Sequence, residues 1–292
     1  MVSEASSNVL AVIPTYRPPD SLRTLIDTLI PQVAEILVSD DASPCTFDPY
    51  LRTLRNETSV RVTRHPHNYG IARGLNDGLA LAQATGYEWL LTLDQDSHID
   101  ADYVRLLLQE ALSRTAQGAR LGAIGAETIH DAAGALSYPT TSTSTGPTTE
   151  ELIQSGTLWS VRALTEIGGF DESLGIDAVD AGACLRLRQQ DYVIALAPGL
   201  RIEHSIGSGQ MVRLLGRNVM VTGHSAQRRT SMLRNRLRLF PAEFRQSPTH
   251  AVRTIRRVVT NQTLGIALED ERRQKALGTL RGLLPGNSKK NS

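Results

Sequence analysis

The sequence predicts an α/β protein built on a largely parallel sheet, followed by a basic helical region. Three observations carry this. Short apolar runs alternate with stretches of helical periodicity from residue 8 to residue 126, the pattern of βαβ units whose helices cover both faces of a sheet. Three of those runs end in polar clusters, Pro14-Thr15-Tyr16, Asp40-Asp41 and Asp94-Gln95-Asp96, and in such sheets ligands bind beyond the carboxyl ends of the strands. The charge then changes sign. Residues 1–200 hold 13 Lys and Arg against 25 Asp and Glu, net −12, and residues 201–292 hold 18 against 5, net +13.

In chain order, Asn8–Ile13 reads as the first strand. Leu22, Leu25, Ile26 and Leu29 recur at helical spacing, and Pro31 ends that helix. Glu35–Ser39 is the second strand, Asp48–Leu54 a short helix, and Val60–Thr63 the third strand. His67-Asn68-Tyr69-Gly70 is turn chemistry leading into a helix from Ile71 to about Ala84. Trp89–Leu93 is a fourth strand, apolar throughout and so buried on both faces. Val104, Leu107, Leu108 and Ala111 share the face of a further helix, and Leu121–Ala126 is the fifth strand. Residues 137–151, SYPTTSTSTGPTTEE, lack apolar periodicity and read as a loop, either a lid over the strand ends or an idle surface segment. Gly168–Glu172 is a turn after a short helix. A helix follows Asp180 through Cys184 and Arg186, and short strands, Tyr192–Ala197 and Leu200–Glu203, flank Pro198-Gly199. His250–Thr260 and Ala267–Leu284 read as amphipathic helices.

At 292 residues the chain can bury a large core, and 40% hydrophobic with 21% charged content is ordinary for a globular protein. Cys45 and Cys184 lie far apart in no metal or redox spacing, which argues for a reducing compartment. With no secretory segment at the N-terminus and no apolar run of spanning length, the expected location is cytoplasmic, peripheral on the inner face of the cell membrane. The arginine-rich stretch from Arg228 to Arg238, interleaved with Met232, Leu233, Leu237 and Leu239, suits an anionic membrane surface. A helical cap packed on the main domain is the competing account. Nucleic acid is disfavoured, since aromatic residues are only 4% and no reading motif is present.

Asp94 and Asp96 are two apart, and in extended geometry they project to one side. Like charges so close repel unless a cation lies between them or one carboxylate keeps its proton, and oxygen-only ligands suit Mg²⁺ or Mn²⁺. A polar strand end capping the next helix explains the same residues.

Taken together, Ile13-Pro14-Thr15-Tyr16, Ser39-Asp40-Asp41-Ala42-Ser43, Asn68-x-Gly70, Asn76-x-Gly78, Asp94-Gln95-Asp96, Gly168–Glu172, Asp177-x-x-Asp180 before Cys184-Leu185-Arg186, and His204-x-x-Gly207 resemble the family 2 glycosyltransferases. The likeness covers about residues 8–207 and is strongest to the bacterial rhamnosyltransferase branch. It implies the GT-A fold, a Rossmann-like, mostly parallel sheet with helices on both faces, here with a basic α-helical extension. Residues 1–210 would be the catalytic domain, with a nucleotide-binding half at about 8–127 and an acceptor half at about 150–210; residues 211–292 would be the extension. The resemblance further implies a dTDP-sugar donor, dTDP-rhamnose, and a glycan or polyprenyl-linked acceptor. Pro14, Thr15, Tyr16 and Asp41 would hold the nucleoside, Asp41 facing the base. Asp94 and Asp96 would be the metal–diphosphate motif with Mg²⁺ or Mn²⁺, His204 helping to hold metal or diphosphate. Asp180 aligns with the catalytic base when counted back from Arg186. Gly182 stands where family members place an acidic residue, so that residue's role is absent or moved. Arg73 is added here as a phosphate contact. Asp177 is the rival base, or an N-cap for the Asp180 helix.

Two other readings compete. A metal-dependent phosphatase with an Asp94 nucleophile would normally carry its motif after the first strand, not the fourth. A non-catalytic nucleotide-sugar-binding or membrane-docking module would tolerate loss of the Asp180 carboxylate.

Overall fold

The computed structural model describes residues 8–131, 134–203, 210–214, 217–221, 223–268 and 270–283. The chain forms two units, Met1–Gly175 with Val179–His204, and Ile176–Ala178 with Ser205–Ser292.

In the first unit, β1 (Val9–Thr15), β2 (Glu35–Asp40), β3 (Val60–Arg64) and β4 (Trp89–Thr92) run parallel in the spatial order β3-β2-β1-β4. The sheet continues through β5 (Leu121–Asp131), β6 (Gly134–Ser137), β7 (Thr141–Thr143), β8 (Gly146–Thr148), β9 (Thr157–Ser160) and β10 (Val193–Glu203), in the order β9-β5-β10-β8-β7, with β6 on β5. Its helices are α1 (Ser21–Leu29), α2 (Asp48–Leu54), α3 (Ile71–Thr85), α4 (Tyr103–Ala116), α5 (Val161–Glu166) and α6 (Val179–Gln189). The apolar strands β1 and β4 are buried along almost their whole length, and the predicted faces Leu22, Leu25, Ile26, Leu29 and Val104, Leu107, Leu108, Ala111 are buried with them.

Two of the sequence markers are explained by packing. A Cβ on Gly78 of α3 would lie 2.6 Å from Val12 Cβ, so α3 can approach β1 this closely only with glycine there. Asn76, two residues earlier, clamps the Gly168–Glu172 turn: its Nδ2 donates to Phe170 O at 2.9 Å and its Oδ1 accepts from Phe170 N at 2.8 Å. Gly78→Ala is therefore expected to destabilise the fold by about 1–3 kcal/mol through overpacking, read as a lowered midpoint in thermal or urea unfolding. An unchanged midpoint would mean that α3 shifts at no cost.

The structure departs from the sequence expectation in four places. The segment 137–151 is not a loop: β7 and β8 pair within it, braced by Thr143 Oγ1 donating to Gly146 O at 2.7 Å and Thr148 Oγ1 to Thr141 O at 3.1 Å. Threonine favours strands, but β7 is exposed along its length and shows no apolar alternation. β9 is an antiparallel strand inserted between β4 and β5, too short to register as a periodic run. The two strands expected around Pro198-Gly199 are one, β10, with an irregularity between Ala197 and Arg201 where Gly199 takes φ 73°.

The fourth departure is in the second unit. It holds a hairpin of β11 (Gln210–Leu214) and β12 (Arg217–Val221), then α7 (Ala226–Gln246), α8 (Pro248–Leu268) and α9 (Arg272–Leu283). The helix expected over Ala267–Leu284 is divided between the end of α8, at Leu268, and α9, from Arg272, with Asp270 and Glu271 (φ 57°) just before α9. Carboxylates oppose the dipole at the end of α8 and favour it at the start of α9.

Candidate active site

Because β1, β2 and β4 are parallel, with Thr15 level with Asp40 and Val12 level with Thr92, their polar carboxyl ends lie along one edge of the sheet. The three clusters are laced together there. Asp41 N donates to Thr15 O at 2.7 Å. Gln95 makes a two-way clamp on Tyr16, its Oε1 accepting from Tyr16 N and its Nε2 donating to Tyr16 O, both at 3.1 Å. The middle residue of the Asp94-Gln95-Asp96 motif thus ties the fourth strand's end to the first. The motif itself is a turn, closed by Ser97 N donating to Asp94 O at 3.1 Å, so the extended geometry assumed from the sequence does not apply.

Asp40 is fully buried and holds the turn after β2, accepting from Ser43 Oγ at 2.5 Å and pairing with Arg64 Nε at 3.2 Å. The Asp41 carboxylate accepts from the backbone of Tyr69 at 2.7 Å and of Gly70 at 2.8 Å. Each of its oxygens keeps a second lone pair for a ligand donor. Tyr16 is 41% exposed, an available stacking face. A cleft of about 450 Å³ opens beside these groups, lined by Ala42, Ser43, Arg64, His65 and Pro66. Arg73, on the first turn of α3, already faces Asp77 at 3.4 Å and Glu172 at 3.8 Å, so a phosphate there would compete with two carboxylates.

Asp180 is reached by a route the sequence did not reveal. β9 runs against β4, pairing Thr157 with Thr92. Its beginning, not its end, therefore lies at the ligand edge, and the segment before it, Gln154-Ser155-Gly156, enters the site. Ser155 Oγ accepts from Asp94 N at 3.2 Å and meets Ser97 Oγ. Gln154 Nε2 donates to Asp94 Oδ1, while Gln154 N donates to Asp180 Oδ2 at 3.2 Å. Asp180, half-buried in the first turn of α6, also accepts from Ala181 N at 2.8 Å. One residue thus holds Asp94 and Asp180 in a common frame. Sequence reasoning names both of these carboxylates but not Gln154 and Ser155, which join them and for which neither spacing nor residue type gives a signal. It also missed His65, whose Nε2 lies 2.7 Å from Asp77 Oδ2 and 3.2 Å from Ser39 Oγ beneath the β2 end.

Asp177 belongs to the second unit. There its buried carboxylate accepts from Arg228 Nε at 3.3 Å, and its carbonyl accepts from Asn235 Nδ2 at 2.8 Å. Burial raises its pKa, with Arg228 and Arg236 pulling it back down. Cys184 is buried and its thiol is pushed up to about 12 by desolvation, whereas Cys45 is exposed; neither is disulfide-bonded. His204 lies outside the described residues. The strand leading to it ends at Glu203, which bridges His98 through His98 N donating to Glu203 O at 3.0 Å.

Asp94 and Asp96 offer only hard oxygen ligands, the donor set of Mg²⁺ and Mn²⁺, and their location at the ligand edge fits a metal shared with a substrate's phosphates.

Comparison with known proteins places this architecture. The sequence model of glycosyl transferase family 2 matches residues 10–162, just over half of the chain. A dTDP-rhamnosyl transferase, RfbF of Shigella flexneri, is 27% identical over 95% of this chain and 96% of its own length. Among solved structures, GalNAc-T7 with UDP, GalNAc and Mn²⁺ superposes with a TM-score of 0.58 at 18% identity, over 82% of this chain and about half, 48%, of that one. TarS 1-349 of S. aureus with UDP-GlcNAc superposes with a TM-score of 0.58 at 15% identity, over 94% of this chain and 79% of that one. The structural likenesses show the GT-A fold.

Proposed function

The chain belongs to glycosyl transferase family 2, and from that premise we propose that it is an inverting enzyme carrying L-rhamnose from dTDP-rhamnose to a hydroxyl of a glycan or lipid-linked glycan. That it is a glycosyltransferase sets aside the phosphatase and the non-catalytic module. The choice of donor is supported by the dTDP-rhamnosyl transferase relative, which matches along nearly the whole chain.

The observation that carries the mechanism is the joining of Asp94 and Asp180 through Gln154. It supports a site in which the leaving diphosphate lies by the first carboxylate and the acceptor hydroxyl by the second. The nucleoside lies against Pro14, Thr15 and Tyr16, with Asp41 toward the base and Arg73 toward a phosphate. The acceptor hydroxyl gives its proton to Asp180 as its oxygen bonds the anomeric carbon. The bond from that carbon to the diphosphate oxygen breaks on the opposite face, and the electron pair leaves with the nucleoside diphosphate. One displacement inverts the configuration. Asp94 and Asp96, with His204, would hold a divalent cation, which neutralises charge gathering on the leaving diphosphate when bound. Residues 1–210 carry this chemistry, and the basic residues 211–292 face an anionic membrane surface where a polyprenyl-linked acceptor would reside.

A turnover assay across nucleotide-diphosphate sugars, with and without Mg²⁺ or Mn²⁺, tests the reading. Preferred transfer from dTDP-rhamnose with inversion supports it; preference for another donor overturns the choice of sugar, and retention of configuration overturns the single displacement. Gln154→Leu supplies a finer test. It removes the donor to Asp94 but also a buried amide oxygen that has no hydrogen-bond partner among the described residues. Stability should therefore change little, within about 1 kcal/mol, while kcat/KM falls about tenfold. Unchanged kinetics would reduce Gln154 to a packing residue.

A further inference from the structure

The helical unit is built inside out. Among its described residues the buried apolar side chains are Leu233, Ala251 and Val258, whereas Leu277, Leu280 and Leu283 of α9 are 54%, 59% and 57% exposed. A surface helix ordinarily turns its leucines inward. α9 instead turns Gly278 and Gly282 toward α7. A Cβ on Gly278 would sit 2.5 Å from Ala226 O, and one on Gly282 would sit 3.0 Å from Thr230 O. The helices approach too closely for a leucine to fit between them, so the outward set of the leucines follows from the packing.

Polar groups bind the inner faces together. Thr230 Oγ1 donates to Gly278 O at 2.7 Å, Thr279 Oγ1 to Gln262 Oε1 at 3.1 Å, and Gln262 Nε2 to Arg229 O at 2.9 Å. Small residues and hydrogen bonds between helices, with apolar residues outside, is how helices associate when their surroundings are lipid. None of the described helices is long and apolar enough to cross a membrane, so the arrangement suits the interface rather than a span.

Charge selects the occupant. α9 exposes Arg272, Arg273 and Arg281, its Lys275 being buried, and α8 carries Arg253, Arg256 and Arg257; neither helix has an acidic residue. Arg273, Leu277 and Arg281 are spaced four apart and share one ridge, with Leu280 and Leu283 beside it. A second copy meeting this face about a twofold axis would set arginines against arginines. An anionic lipid surface attracts each of them, and arginine stems can lie along the interface while their heads reach phosphate. On α8, exposed Val252 and Val259 flank Arg256 in the same manner.

We propose that α9 lies in the plane of an anionic lipid surface, with Leu277, Leu280 and Leu283 turned into the lipid and Arg273 and Arg281 on headgroup phosphates. This sharpens the membrane part of the function proposed above and rests on it.

The test is flotation of the full chain with vesicles of phosphatidylglycerol and phosphatidylcholine in equal parts, against vesicles of phosphatidylcholine alone. The protein should float with the anionic vesicles and be released as salt is raised to about 0.5 M. Leu277→Ser, Leu280→Ser and Leu283→Ser together, and separately Arg273→Gln with Arg281→Gln, should each weaken binding by about tenfold or more. Because the altered side chains are exposed, melting midpoints should stay put; if the leucine variant fails to fold, the arginine pair decides. Donor-sugar affinity, measured without vesicles, should be unchanged in both. Anionic binding that survives both variants places the docking surface elsewhere and overturns the proposal. Absence of vesicle binding together with a dimer that the leucine changes dissolve gives the face to a second copy. A protein that floats as described yet transfers no sugar keeps this inference and overturns the catalytic reading instead.

Discussion

Asp180→Asn is expected to lower kcat by roughly 10²–10⁴-fold, the usual contribution of a positioned general base, while leaving donor affinity within about threefold. The amide keeps the shape, but its single oxygen can accept from Ala181 N, which now donates at 2.8 Å, and not also from Gln154 N, whose longer bond of 3.2 Å to the other oxygen is given up, so the local fold should persist at a cost of about 1 kcal/mol. What is lost is the ability to take a proton from the acceptor hydroxyl. Steady-state kinetics with a soluble acceptor, paired with calorimetry of donor binding, separates the two effects. Near-normal turnover would remove Asp180 from the mechanism.

The second large effect is expected at the other carboxylate cluster. Asp96→Ala should cut metal-dependent affinity for the nucleotide sugar by about 10–100-fold and lower kcat/KM by at least as much, because charge on a leaving diphosphate is worth several kcal/mol to neutralise. Titrating donor into wild type and variant, with Mg²⁺ or Mn²⁺ and then with chelator, reads this directly. The wild-type advantage should vanish in chelator. Equal affinities in the presence of metal would assign Asp96 to holding the turn. The two variants should thus fail differently, one in proton transfer with binding intact, the other in binding first.

The legible parts of the molecule were those whose signal is local. β1, β2 and β4 announce themselves because a strand buried on both faces must be apolar throughout. The polar residues that interrupt those runs then mark the ligand edge without any knowledge of the fold. Asp180 stood out only through the family resemblance, aligned by its distance from Arg186. The invisible parts depend on pairing across long separations. Gln154 reaches Asp94 across 60 positions, and β9 has only four residues, too few for a period to emerge. The Thr-rich β7–β8 hairpin hid because both its faces are wet or half-wet, which removes the alternation that marks a strand. In α9 the spacing of the leucines marks a helix, but it cannot tell a face that packs from one that does not; only the close approach of Gly278 and Gly282 to α7 does that.

The insertion of β9 between β4 and β5 has a consequence for how the chain matures. A ribosome that has released residues up to Asp96 has made all three polar strand ends, yet that sheet ends in a strand whose outer row of amide and carbonyl groups has no mate until residues 157–160 emerge. Until then β4 is an open edge, able to recruit other strands, and Asp94 lacks Ser155 and Gln154. Loop-closure entropy must be met before this non-local pairing is rewarded. A fragment ending near residue 127 should therefore aggregate rather than bind nucleotide, and the donor site should be among the last parts of this protein to become competent.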